Sequence, residues 1–196
     1  MSLFAKSILM GKIRTFVAIP VEGLVNLERW ARELQKQRVG GQIKWNPPAR
    51  WHLTLKFIGD VDEYNLKLLR QSLRDCLQGF HAGEVFFEGS GYFGPAEAPR
   101  VLWAGVRADD YLKQLRERVE EAGFMLNLPR DDRPFRPHLT LGRIKHIRKP
   151  ARLIDEVDKS RHQEWGILSV DQVLLYKSQL TSRGPVYSVV EQFDLQ

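Results

Sequence analysis

The sequence predicts an α+β chain of two pseudo-symmetric lobes, built of mostly antiparallel sheet with helices outside and a central cleft. Three observations carry that prediction. The tetrapeptide His-Leu-Thr-Leu occurs twice, as His52-Leu53-Thr54-Leu55 and as His138-Leu139-Thr140-Leu141. Each copy lies in a short apolar run bounded by proline on one side and glycine on the other, the signature of a strand. Each is followed by a helical stretch and then by a pair of short apolar runs, so the second half repeats the rhythm of the first as an internal duplication. Strands that alternate with helices but also return as hairpins predict antiparallel or mixed pairing.

The first strand is Ile13–Pro20, with Phe16-Val17-Ala18-Ile19 as its apolar run and Pro20 as its stop. Leu24, Leu27, Trp30, Ala31 and Leu34 recur at helical spacing and predict a helix from Val21 to Arg38, ended by Gly40-Gly41. Ile43–Trp45 forms a short strand, and Asn46-Pro47-Pro48 turns into the first motif strand, expected to end at Gly59. Asp60 or Asp62 caps a helix from Glu63 to Leu77. Glu84–Gly91 and Arg100–Val106 form strands around a Gly94-Pro95 loop. Asp109 or Asp110 caps a helix from Tyr111 to Ala122, closed by Gly123. The polar loop Leu126–Arg136 delivers the second motif strand. Pro150 opens a helix to Ser160; Trp165–Lys177 holds a strand; Val186–Phe193 returns opposite it after a turn at Ser182-Arg183-Gly184-Pro185.

With 196 residues and 43% hydrophobic content, the chain can bury a sizeable core. Residues 1–12 read as an extension before a single bilobal domain, 13–196, with Met10 as an alternative start. No run approaches the roughly 18 consecutive apolar residues of a membrane span, and the N-terminus lacks a signal-peptide pattern. A cytoplasmic monomer is expected. The single Cys76 falls in the helical pattern Leu66, Leu69, Leu73, Leu77, which reads as a buried helix residue in a reducing compartment. A net charge of +6 favours anionic partners without naming them.

In a strand, side chains alternate faces, so His52 and Thr54 point one way and Leu53 and Leu55 the other; the same holds for His138 and Thr140. If the two strands meet, two imidazoles and two hydroxyls converge on a phosphate-sized volume. Phosphoryl hydrolysis without a metal needs a base for water, an acid for the departing oxygen and donors for the non-bridging oxygens. Histidine serves both proton roles because its pKa of about 6.5 leaves both forms accessible. Threonine supplies a hydroxyl donor. By the same period, Lys56 and Arg136 share the motif faces, whereas Arg143 has the opposite parity and needs a twist at Gly142. His81, His146 and His162 match nothing similar and are expected at the surface. A zinc site finds no His-Glu-x-x-His, no cysteine pair and no acid within either motif. No glycine-rich phosphate loop is present.

These residues resemble a family. The paired motifs, Trp45-Asn46-Pro47 before the first and Lys56-Phe57-Ile58-Gly59 after it, Phe135-Arg136-Pro137 before the second and Gly142-Arg143 after it, are similar to the two-histidine phosphoesterases. The nearest branch is the RNA 2′,3′-cyclic phosphodiesterases, historically called 2′-5′ RNA ligases. Arg14–Ile19 also resembles the family's first strand. The resemblance implies a bilobal fold and metal-free opening of an RNA 2′,3′-cyclic phosphate to a 2′-phosphate, with no cofactor. It implies His138 as the base, His52 as the acid, Thr54 and Thr140 as phosphate donors and Arg143 as an aid to phosphate binding. Run backwards, the same site would join RNA ends. The expected partners are RNA with a cyclic phosphate terminus, such as tRNA fragments, or small cyclic nucleotides. A binding module of the same fold without turnover is the alternative.

Overall fold

The computed structural model describes residues 12–37, 41–131, 133–181 and 184–196. The expected N-terminal extension up to residue 11 and the Ser182-Arg183 part of the last turn lie outside them. The described residues form nine strands and four helices: β1 Ile13–Pro20, α1 Val25–Lys36, β2 Gly41–Trp45, β3 His52–Val61, α2 Glu63–Leu77, β4 Gly83–Phe93, β5 Val101–Val106, α3 Asp110–Phe124, β6 His138–Ile147, α4 Pro150–Lys159, β7 Glu164–Val170, β8 Gln172–Thr181 and β9 Gly184–Asp194. A 3-10 turn at Pro48–Arg50 separates β2 from β3.

All strands join one antiparallel sheet in the order β7-β4-β5-β6-β3-β1-β8-β9, with β2 paired to the far half of β6. The sheet divides naturally between β6 and β3, which share a single ladder pair, Leu53 with Leu139. One lobe is β3-β1-β8-β9 and the other is β6-β5-β4-β7, so the two motif strands are adjacent at the centre. Each motif strand lies with the hairpin that follows the other motif: β3 with β8–β9, β6 with β4–β5.

One apolar core lies beneath the sheet. Leu53, Leu55, Leu139 and Leu141 enter it from the strands, and Leu27, Leu69, Leu112, Leu115 and Leu153 enter it from the four helices. The motif leucines therefore face the helices, and the motif histidines face the open side. Asp62 caps α2 by accepting from the Asn65 amide at 2.7 Å, and Asp109 caps α3 by accepting from the Leu112 amide at 2.9 Å. Cys76 is buried and unpaired, as the α2 spacing requires.

Several boundaries differ from the sequence reading. Helix α1 starts at Val25 because the preceding residues stay with the sheet, the Val21 amide donating to the Trp51 carbonyl at 3.1 Å. Strand β3 runs past Gly59 to Val61: this glycine, at φ +90°, lies beside a bulge where β3 carries one more residue than β1. Gly123 does not end α3. It sits within the helix where a Cβ would come within 2.8 Å of Lys56 Cε, so its role is to admit that side chain. The run Trp165–Lys177 is two strands rather than one. They break at Asp171 and go to opposite sides of the sheet, β7 to one edge and β8 beside β1.

Candidate active site

The register of β3 and β6 builds the site. In an antiparallel pair centred on Leu53 and Leu139, His52 falls opposite Thr140, and Thr54 opposite His138. Both leucines are fully buried, while all four polar residues are half-buried on the other face. Two imidazoles and two hydroxyls thus share one face about a pseudo-twofold axis through the leucine pair.

Both histidines are held alike. His52 Nδ1 donates to the Arg50 carbonyl at 2.9 Å, and His138 Nδ1 donates to the Arg136 carbonyl at 2.9 Å. A carbonyl can only accept, so each Nδ1 carries a proton, and Nε2 is the nitrogen left for chemistry. Their surroundings differ. His52 packs against Phe16 at 5.1 Å and edge-on to Tyr187 at 5.2 Å, while His138 stands edge-on to Phe93 at 4.8 Å. Burial pushes the His52 pKa below its ordinary value. The hydrogen bond to Arg50 opposes that shift, and the positive charges of Arg143 and His138 add to it.

Arg143 reaches the site through a bulge. Thr140 pairs with Trp103 of β5, but Gly142 pairs with Leu102, so Leu141 is an extra residue. The alternation resets after it: Gly142 is buried and Arg143 is exposed on the histidine face. Asn46 holds this bulge. Its Nδ2 donates to the Thr140 carbonyl at 2.9 Å and its amide donates to the Leu141 carbonyl at 2.8 Å, while its own carbonyl accepts from Trp51 Nε1 at 3.0 Å.

The same device overturns the expectation for Lys56. Thr54 pairs with Ala18 and Lys56 with Val17, so Leu55 is the extra residue, and Lys56 turns away from the motif face. Its side chain is 4% exposed, and Nζ donates to Glu120 Oε2 at 2.6 Å and to the Pro129 carbonyl at 2.9 Å. Lys56 still lines the cleft, but its ammonium is held in this buried ion pair. Arg136 is exposed beside His138, in the wall of a cleft of about 480 Å³ that also includes Thr54, Phe57, Phe93, Phe135 and Arg116. Arg116 lies over the Phe135 ring at 4.5 Å.

Sequence reasoning did not find Phe16, Phe57, Phe93, Tyr176 and Tyr187 as the aromatic setting of the histidines, since they come from β1, β3, β4, β8 and β9. Phe16 stacks on Tyr176 at 5.0 Å and meets Tyr187 at 5.0 Å. Asn46 lay in a quoted motif without a role. His81, His146 and His162 are exposed. Among the described residues no group of three or more His, Cys, Asp or Glu side chains is placed to hold a metal ion, and no helix is long and apolar enough to cross a membrane.

The chain is 32% identical over 185 residues to the RNA 2′,3′-cyclic phosphodiesterase of Methanothermobacter thermautotrophicus, covering 94% of this chain and 100% of that protein. It is 32% identical over 183 residues to the RNA 2′,3′-cyclic phosphodiesterase of Thermotoga maritima, covering 91% and 93%. Among solved structures it is similar to TT0787 of Thermus thermophilus, with a TM-score of 0.74, 28% identity and coverage of 93% of this chain and 97% of that one. Escherichia coli LigT in its apo form shares the fold, with a TM-score of 0.73 at 20% identity over 95% of this chain and 99% of that one. The family described as LigT-like phosphoesterase matches residues 17–103 and 106–187, spans that hold both histidine motifs, and the chain belongs to that family.

Proposed function

We propose that this phosphodiesterase opens the terminal 2′,3′-cyclic phosphate of RNA to a 2′-phosphate without a metal, using His138 as base and His52 as acid. The activity class comes with the family and with relatives named RNA 2′,3′-cyclic phosphodiesterase across nearly the whole chain. The division of labour is our reading of this site. The observation that carries it is the Leu53–Leu139 pair, which sets both histidines and both threonines on one open face.

Neutral His138 takes a proton from water through Nε2, and the water oxygen attacks phosphorus in line with the bond to O3′. That bond breaks, and protonated His52 gives its Nε2 proton to O3′, leaving the phosphate on O2′. Thr54 and Thr140 donate to the non-bridging oxygens, and Arg143 supplies positive charge. Burial lowers the His52 pKa most and the Arg143 charge adds to it; an anionic phosphate beside Arg143 offsets that added part, so substrate binding favours the protonated acid. Proton exchange with solvent resets the pair. With a 5′-hydroxyl in place of water, the same steps join a cyclic phosphate end to that hydroxyl through a 2′-5′ linkage, His138 taking the hydroxyl proton and His52 protonating O3′. A free, buried Cys76 fits a reducing cytoplasm.

The test is hydrolysis of an RNA oligonucleotide ending in a 2′,3′-cyclic phosphate, with EDTA present and the product identified as 2′- or 3′-phosphate. A 2′-phosphate, with rates at least about a hundredfold lower in His52→Ala and in His138→Ala, is expected. Activity lost to EDTA and restored by zinc would replace this mechanism with a metal one. Phosphate-dependent binding without turnover would make the protein a binding module.

A further inference from the structure

The charge of this chain is unevenly placed. From Arg143 to Arg152 the sequence has five arginines and lysines, one histidine and no carboxylate, in a protein whose net charge is +6. The rest of the chain is therefore close to neutral. The run begins in the site, at Arg143, and leaves it along the outer half of β6, where β2 is the partner strand and Lys44 pairs with Arg143. Ile144 and Ile147 anchor this segment to the core. Lys145 is the extra residue of a second bulge, between the pairs Ile43–Ile144 and Gln42–His146, and it is exposed with His146, Arg148 and Lys149.

Elsewhere around the cleft Arg136 is the exception and the other lining arginines are compensated. At the His138 end, Arg130 pairs with Glu117, Arg133 with Asp131, and Arg116 with Glu120. Among the described residues no ion pair involves Arg143, Lys145, Arg148 or Lys149. Uncompensated like charges repel one another, and a polyanion that spans them relieves that repulsion and releases counterions. Arg143 to Arg148 covers about 15 Å of strand, which is longer than one phosphate group and suited to a short run of them.

We infer that the single-stranded RNA leading to the reactive end lies along the outer half of β6 and the Arg148–Lys149 turn, with Lys145 and Arg148 against its phosphates. This rests on the reading of the site given above, and it makes the enzyme one for RNA ends rather than for free cyclic nucleotides. The contacts are to phosphates, so the tract tolerates any sequence.

The experiment compares two substrates in wild-type protein and in Lys145→Glu/Arg148→Glu: a 2′,3′-cyclic mononucleotide, and an RNA of about ten nucleotides ending in the same cyclic phosphate, within the reach of single-strand binding folds. The ratio of kcat/KM for the oligonucleotide to that for the mononucleotide should fall at least tenfold in the double variant. The dependence of log(kcat/KM) on log salt for the oligonucleotide should flatten by about 0.7 per cation removed. The Lys145→Gln/Arg148→Gln variant, a milder change, should move both readouts in the same direction. An unchanged ratio and slope would overturn the tract while leaving the chemistry standing, as would a ratio that falls only on reversing Arg136 at the other end. If neither substrate turned over, the site reading would fail. Fluorescence anisotropy with a 2′-phosphate-ended oligonucleotide would still decide the tract, since the double variant should bind it more weakly and with a flatter salt dependence.

Discussion

Phe57 and Arg143 occupy equivalent places in the two halves of the cleft. Each lies five residues after its motif histidine, and each is turned to the open face by a bulge at the leucine two residues before it, Leu55 or Leu141. Backbone symmetry thus carries chemical asymmetry: a phenyl ring, 69% exposed, stands at the His138 end and a guanidinium at the His52 end. A ring so exposed beside Thr54 and His138 offers a nucleobase a stacking face. Phe57→Ala should raise KM for cyclic-phosphate RNA by a factor equivalent to about 1–3 kcal/mol with kcat little changed, and Phe57→Trp should restore it. Steady-state kinetics on the three proteins checks this.

The pH profile follows from the environment of His52. Its folded pKa lies below 6.5 because burial, Arg143 and His138 all disfavour the imidazolium. As the acid it must be protonated, so burial and the neighbouring charges should shift the alkaline limb of kcat/KM, which reports the free enzyme, to lower pH. Arg143→Met removes one of the depressing charges. The limb should then move to higher pH even as the maximal rate drops. A limb that stayed in place, or moved down, would contradict the assignment of His52 as the acid.

Asn46 tests the bulge. Asn46→Ala removes the side-chain donor to the Thr140 carbonyl, and urea unfolding should show a loss of about 1 kcal/mol. Arg143 loses its fixed direction in the same step, so KM should rise beyond what the stability change alone produces. Asn46→Asp, which cannot donate from its carboxylate, should behave no better.

Lys56 and Glu120 test the correction to the sequence reading. Both side chains are 4% exposed, and Arg116 reaches Glu120 only at 3.4 Å. Lys56→Met leaves a buried carboxylate short of its partner and should cost about 3–5 kcal/mol. Lys56→Met/Glu120→Leu removes both charges and should regain most of that stability. The folded double variant should retain kcat/KM near wild type, measured beside its denaturation curve. A double variant that is stable but inactive would return Lys56 to the phosphate.

The chain by itself determined a good deal. The duplicated tetrapeptide and strand alternation were enough to set two histidines and two threonines opposite two pairs of core leucines, because that pattern needs only the sterics of an extended backbone. The helix caps were legible for the same local reason as Asp60 or Asp62 and as Asp109 or Asp110, and the structure takes Asp62 and Asp109. What only the tertiary structure decided is relational. Nothing local says that Leu53 meets Leu139. Nor does anything local say that the run broken at Asp171 sends one strand to each side of the sheet. The parity of Lys56 and Arg143 could not be read along the chain either. A bulge is an extra residue counted against a neighbouring strand, and here the neighbours are Ala18 and Val17 for one and Leu102 and Trp103 for the other. Those pairings sent the lysine inward to Glu120 and the arginine outward to the site. They also gathered Phe16, Tyr176 and Tyr187 around His52 from three strands distant in sequence. Alternation fixes the face of a residue only until the partner strand changes the count, and in this protein both changes fall within three residues of a motif histidine.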